Sequence, residues 1–376
     1  MAGRTQAALY SDIDLDLSWS EQQLPQVERT KHVHGLHPYL GKFIPQLVDV
    51  FLDRYFRSGE CVFDPFVGSG TTLVEASAFG AVGIGCDISA FNCLLTRVKT
   101  AAYSVGALEM ELRATYERSH QDEHRVHLSQ ATDWLRRWYA PQALRELLAY
   151  RAAASELDDS IRDVAHVILS RSARSARLTT HFDLDFPRQP VGDAYYCHKH
   201  KRTCAPVEEA GKFLRRYSAD TSERIRAFAS VRSSIESVVL HEDSRAVRLP
   251  VKPSGIITSP PYPGLIDYHE QHRYAYELLG LVDRRLEEIG PASKGTSRSA
   301  LAEYQSSTAG VFLNASEQMD PGSPVVIVVN DSRNLYPEIL DRSGLQLEDV
   351  LTRHVNRRTG RRAGEFYENV LVCRVA

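Results

Sequence analysis

Cys61-Val62-Phe63-Asp64-Pro65-Phe66-Val67-Gly68-Ser69-Gly70-Thr71-Thr72 is the stretch on which the fold turns. The apolar run 61–63 predicts a short buried strand, Gly68-Ser69-Gly70 a tight turn, and Leu73, Val74, Ala76 and Ala78 a following helix. Strand, glycine turn and helix together aim free backbone N–H groups and a positive dipole end at an anionic ligand group. A phosphate loop of the Walker type needs lysine after its last glycine, and Thr71 stands there instead. A second apolar run, 81–85, leads to Asp87, roughly ~20 residues on, where dinucleotide-type folds place an acid against a ribose hydroxyl. The loop therefore suits a nucleoside ligand carrying a carboxylate.

A second anchor lies far downstream. Ile256 and Ile257 read as a buried strand that runs into Thr258-Ser259-Pro260-Pro261-Tyr262-Pro263-Gly264. Consecutive prolines have fixed φ and no N–H, so they stiffen a turn and cannot continue a central strand. A rigid carbonyl, the Ser259 oxygen and the Tyr262 ring are the groups needed to hold a planar heterocycle by an exocyclic amine. A plain Pro-Pro loop closing a buried strand is the competing reading. Val238–Leu240 forms another strand pattern leading to Glu242, Asp243 and Ser244, so two strands end in polar residues, as when a ligand crosses the carboxyl edge of an open α/β sheet.

The remaining chain frames these anchors. Its 376 residues, 43% hydrophobic and 25% charged, allow one large or two ordinary globular domains. No run reaches membrane-spanning length, and six scattered cysteines do not make a secreted disulfide framework, so a reducing cytoplasmic setting is expected. A net charge of -3 confines any nucleic-acid contact to local patches. Residues 1–30 read as a polar arm or edge strand, with Asp12, Asp14 and Asp16 alternating with Ile13, Leu15 and Leu17. A helix is predicted over 46–56, and helical spacing returns over 108–120, 141–154 and 160–175, with Trp134, Trp138 and Tyr139 as packing residues. Arg171, Arg174 and Arg177 recur on one face, either solvated or facing phosphates. The irregular stretch 179–202 interleaves Phe182, Phe186, Tyr195 and Tyr196 with Lys199, Lys201 and Arg202, a pattern that can track a nucleic-acid backbone. Cys197, His198, His200 and Cys204 carry zinc-ligand chemistry, but no second Cys/His pair lies nearby in sequence, and the expectation is reduced cysteines without a metal. Residues 290–307 read as a mobile loop, and 350–355 with 367–375 as two strands joined by a turn holding Arg357, Arg358, Arg361 and Arg362.

The ordered set FDPFVGSGTT at 63–72, GCDIS at 85–89, HEDS at 241–244 and TSPPY at 258–262 resembles the motifs of the S-adenosylmethionine-dependent DNA amino-methyltransferases, which modify cytosine N4 or adenine N6. HPYLGKF at 37–43 is similar to the family segment that closes over the methionine part of the cofactor. The resemblance covers about 31–100 and 237–376. It implies an α/β Rossmann-like methyltransferase fold: a mostly parallel seven-stranded sheet with helices on both faces, formed by 31–105 and 237–376, with 106–236 as a mainly helical insert. It further implies S-adenosylmethionine bound by Phe43, Asp64, Phe66, Gly68, Ser69, Gly70, Thr71, Thr72, Asp87, Ile88, Asp243 and Ser244. Asp87 would meet the ribose and Asp243 the adenine amine, while Ser259, Pro260, Pro261 and Tyr262 would hold the target base. Double-stranded DNA is the implied partner, with a cognate restriction endonuclease as an open companion; Arg171, Arg174, Arg177, Lys199, Lys201 and Arg202 lie outside the stretches that carry the resemblance and are its candidate contacts by charge and composition alone. Serine leading the turn leans toward cytosine N4, since members acting on adenine more often have Asp or Asn there. Adenine N6, an RNA or protein amine, and a non-catalytic regulator with a vestigial pocket stay open. One departure concerns the insert: the family's common order places the recognition region between the adenine-binding motif and the catalytic turn. Here only about 15 residues separate Asp243 from Ser259, and the long insert falls earlier.

Overall fold

The computed structural model describes residues 17–20, 22–185, 187–355 and 366–376. Pro at the first helical position opens α1 (Pro45–Tyr55), which leads to β1 (Cys61–Asp64), α2 (Thr71–Phe79), β2 (Val82–Cys86) and α3 (Ala90–Thr100). The insert follows as α4 (Val105–Asp122), α5 (Asp133–Trp138), α6 (Pro141–Ala154), α7 (Asp159–Ala176), a hairpin of β3 (Tyr195–Cys197) and β4 (Arg202–Cys204), and α8 (Gly211–Ala229). The chain then returns to the sheet with β5 (Val238–Leu240), β6 (Gly255–Thr258), α9 (Arg273–Leu279), α10 (Arg298–Ser316), β7 (Pro324–Val329), α11 (Tyr336–Arg342), β8 (Leu345–His354) and β9 (Tyr367–Val375).

Seven strands form one sheet in the order β5-β2-β1-β6-β7-β9-β8, with β9 reversed against both neighbours and the other pairs parallel. Alternate side chains leave a strand on opposite faces, so continuous apolar runs mean a sheet covered on both sides. Phe63, Ile256, Val325 and Ile327 pack with Phe312 of α10 and Ile339 of α11 on one face. Val62, Ile257, Val326 and Val328 pack with Leu47, Val48 and Phe51 of α1 on the other. Each such side chain contributes about 1.5–3 kcal/mol by leaving water. The order of strands reverses between β1 and β6, and this is where open α/β sheets form a ligand crevice.

The insert does not stand apart. Leu94 and Val98 of α3, Leu112 of α4, Leu147 of α6, Ile168 of α7, Ile225 of α8 and Leu278 of α9 share one apolar core, to which Trp138 and Tyr139 also belong. α8 has buried positions Leu214, Thr221, Ile225 and Phe228 at helical spacing, a helix beyond those expected from the sequence. The loop expected over 290–307 is corrected: Ser297 caps α10 by accepting a hydrogen bond from the Ala300 N–H, and Tyr304 turns inward to 2% exposure. Asp12, Asp14, Asp16, Ile13, Leu15, Phe186 and the four arginines at 357, 358, 361 and 362 lie outside the described residues; Leu17 is fully buried.

Candidate active site

The crevice at the strand reversal is a cleft of about 830 Å³, counting the solvent at its mouth. The peptides around Gly68 and Pro260, distant in sequence, both reach it. β1 and β6 pair in register, Phe63 opposite Ile256, and the Thr258 hydroxyl donates to Asp64 Oδ1 at 2.6 Å. Phe43, Phe66, Gly68, Ser69, Thr71, Asp87, Ile88, Asp243, Ser244, Ser259 and Pro261, all named from the motifs, line the cleft.

The glycines make the loop possible. Gly68 and Gly70 have φ of 49° and 79°, the left-handed region, and a Cβ on Gly70 would lie 2.8 Å from Thr96 Oγ1. Lys99, buried in α3, donates to the Ser69 carbonyl at 2.6 Å and fixes the turn from behind. Burial, then the nearby Lys42, hold the Lys99 ammonium well below the ordinary lysine range. Asp87 closes the other side: its Oδ2 accepts from the Gly68 N–H and Asn92 Nδ2, both at 3.0 Å, and its Oδ1 accepts from the Ser89 N–H at 2.8 Å. Burial pushes the Asp87 carboxyl above the usual carboxylate range, against these three bonds that favour its charge. Burial also pushes Asp243 upward, but Arg245, whose Nε lies 3.0 Å from both carboxylate oxygens, outweighs it and holds the carboxyl below that range. The Ser244 hydroxyl donates to the Pro65 carbonyl at 2.6 Å, tying the β5 end to the glycine loop.

Asp64, Gly70 and Thr72 stand behind the wall rather than on it. Asp64 is 1% exposed, and Thr72 donates to the Ile257 carbonyl at 3.2 Å, so both link β1 and α2 to β6. In the proline turn, Ser259 and Pro261 face the cleft and Pro260 is buried. Tyr304 donates to the Pro261 carbonyl at 3.0 Å. Tyr262 packs against the sheet core, and its hydroxyl donates at 3.0 Å to Glu368, whose other oxygen lies 3.6 Å from Arg353 Nε. Burial, then Glu368, push the Tyr262 phenol well up, while burial lifts Glu368 against the pull of Arg353.

Tyr39, within the 37–43 segment, and several residues outside every motif also belong to the cleft or its backing. Tyr39 and Tyr268 line the cleft and stack at 5.7 Å, and the fully buried His272 stacks on Tyr39 from behind at 5.4 Å. His269 pairs through Nδ1 with Glu288, and its Nε2 accepts from the Arg284 N–H at 3.3 Å, which fixes the orientation of the ring. The arginine row is corrected. Arg171 pairs with Asp220 and lies over the Tyr217 ring, Arg174 pairs with Asp185, and Arg177 donates to the Leu184 carbonyl and lies over the Tyr274 ring. These three guanidiniums are internal staples, not a free phosphate-facing row. Lys199, Lys201 and Arg202 remain exposed on the β3–β4 hairpin.

The cleft fits S-adenosylmethionine on its own features. A backbone at positive φ and the start of α2 offer N–H groups to a carboxylate, and the buried Asn92 Oδ1 lacks a protein partner. Asp87 and Asp243 place carboxylates at two further points of the cleft lining. Among the described residues no helix is long and apolar enough to cross a membrane. A family model described as DNA methylase matches residues 7–97. The chain is 36% identical, over 440 aligned positions, to the type II methyltransferase M.MjaII of Methanocaldococcus jannaschii, covering 95% of this chain and 83% of that protein. It is 24% identical to the type II methyltransferase M.MvaI of Kocuria varians over 38% of this chain and 34% of that one. Among solved structures, TrmN from Thermus thermophilus aligns with 90% of this chain and 50% of its own, at 13% identity and a TM-score of 0.32. With its motifs on one cleft and a relative of this identity along nearly its whole length, the chain belongs to the S-adenosylmethionine-dependent amino-group DNA methyltransferases.

Proposed function

We propose that the protein methylates the exocyclic N4 amine of cytosine in duplex DNA, on a base turned out of the helix. The observation that carries this reading is the shared cleft of the Gly68 loop and the Ser259 turn, with an uncharged serine leading the turn. S-adenosylmethionine, when bound, supplies an electrophilic methyl group. The chain's own task is to prepare the amine, whose lone pair is delocalised into the ring. Accepting its two protons at Ser259 Oγ and the Pro260 carbonyl draws the nitrogen toward tetrahedral geometry and localises the pair for in-line attack. Asp87, Asp243 and the Gly68–Thr71 backbone hold the donor side in place, and such positioning is worth ~7–11 kcal/mol. Turning the base out costs a few kcal/mol. Tyr262, its hydroxyl anchored on Glu368, offers a ring of fixed orientation whose stacking returns roughly 1–3 kcal/mol.

The insert 106–236 is proposed as the target-recognition region, with Lys199, Lys201 and Arg202 meeting phosphates. A cognate restriction endonuclease is the proposed companion, since both curated relatives are type II methyltransferases by name. Mass spectrometry of nucleosides from DNA treated with protein and cofactor tests the assignment. N4-methylcytosine is expected. N6-methyladenine alone overturns the base, and transfer to RNA or protein but not to DNA overturns the substrate.

A further inference from the structure

Between Ala176 and Tyr195 the described residues form neither helix nor strand, and the hairpin that follows has only three residues in each strand. A hairpin that short is marginal in water without a further tie, and so is a connection that long. The register explains where the tie sits. Tyr195 lies opposite Cys204 and Cys197 opposite Arg202, so Cys197 and Cys204 are diagonal neighbours on one face. Both sulfurs are covered, with Cys197 at 2% and Cys204 at 9% exposure.

Two histidines close over them. His200 Nδ1 lies 3.6 Å from each sulfur, His181 Nδ1 lies 3.5 Å from Cys197 Sγ, and the two rings stand edge to face at 4.6 Å. All four donor atoms lie within 4.8 Å of one another. Hydrogen bonding alone does not account for the arrangement: a ring nitrogen has one lone pair or one proton, and His200 Nδ1 is equidistant from two sulfurs. A tetrahedral ion does account for it. Zn–S of about 2.3 Å and Zn–N of about 2.0–2.1 Å give sulfur–nitrogen edges of about 3.6 Å. The Tyr195 hydroxyl also lies 2.9 Å from His181 Nδ1 and accepts the His181 N–H at 3.1 Å. Coordination takes the ring lone pair and leaves the main-chain bond in place.

We propose that His181, Cys197, His200 and Cys204 form a closed structural zinc site. Two thiolates and two neutral imidazoles, with no carboxylate among them, are a donor set that zinc takes with tetrahedral geometry. Binding releases the two thiol protons to solvent, so the bound unit is neutral. Sequence spacing pointed to the wrong second histidine. His198 has its ring edge on Tyr196 and stands outside the clustered donors, and His181, exposed as His198 and His200 are but sixteen residues before Cys197, takes its place through the fold. The site fastens the hairpin bearing Lys199, Lys201 and Arg202 to the loop that Arg174 and Arg177 hold a few residues past His181, through Asp185 and Leu184.

The test reads metal, so its failure leaves the methyl-transfer reading untouched. The full chain, purified without a histidine tag or chelator, is expected to carry about one zinc. After exchange with cobalt alone it should show visible d–d bands with thiolate charge transfer. Cys197→Ser and His181→Asn should release metal to a competing chelator at least about tenfold faster, and His198→Asn should match the parent. Chelation should likewise speed trypsin cleavage after Lys199, Lys201 and Arg202. If a cysteine variant does not fold, the cobalt spectrum of the parent chain decides. Zinc below about a tenth of an equivalent with no cobalt bands, or full retention in the Cys197→Ser variant, overturns the site.

Discussion

Asp64→Asn isolates the electrostatic cost of joining β1 to β6. The Asp64 carboxyl is buried, and desolvation pushes it from 3.8 up to about 6, even though Thr258, Thr72 and the Phe66 N–H all favour its charged form. Below pH 3.8 the group is protonated in both the folded and unfolded chain and costs nothing. Between 3.8 and about 6 the folded chain keeps a proton that the unfolded chain has lost, so stability falls as pH rises. Above about 6 the full penalty of roughly 3 kcal/mol applies, at about 1.36 kcal/mol per pH unit. Asparagine carries no charge at any of these pH values. Its carbonyl accepts from Thr258 and the Phe66 N–H as Asp64 Oδ1 does, and its amide faces the Thr72 hydroxyl oxygen. The variant should therefore gain on the parent by about 2 kcal/mol between about pH 4.5 and about pH 8. Urea unfolding at the two pH values, followed by tryptophan fluorescence without cofactor, measures that gain; other titrating groups cancel in the comparison. A difference that is constant with pH, or that shrinks as pH rises, refutes the reasoning.

Ser259→Ala should leave cofactor affinity nearly unchanged by calorimetry and lower the rate of methyl transfer by roughly 100- to 1,000-fold, the usual effect of removing one group that acts only in the transition state. Gly70→Ala places a Cβ 2.8 Å from Thr96 Oγ1 at a φ of 79°, which should cost about 2–5 kcal/mol in thermal or urea unfolding. Arg177→Ala should lower stability by about 1–3 kcal/mol and leave the salt dependence of DNA binding as it was, because the guanidinium is spent on Leu184 and the Tyr274 ring. Replacing Lys199, Lys201 and Arg202 by alanine should do the reverse, leaving stability intact and flattening the slope of log affinity against log salt by up to about 0.9 for each phosphate no longer neutralised.

Much of this protein was legible from local chemistry. A strand of continuous apolar residues, glycines where only a positive φ closes a turn, and prolines that stop a strand are all short-range constraints, and they located β1, β2, β5, β6 and the loops at their ends. The tertiary structure decided what those constraints do not reach. A carboxylate such as Asp64 lies behind the cleft wall because of what α2 and β6 place around it, and an arginine row on α7 is internal because Asp220, Asp185 and the Leu184 carbonyl come to meet it. His181 joins Cys197, His200 and Cys204, and Tyr268, His269 and Glu288 enter the cleft, through chain reversals that leave no periodic trace. Charge and metal-ligand chemistry depend on which partner arrives at about 3 to 4 Å, and that is set by packing of the whole chain rather than by neighbours in sequence.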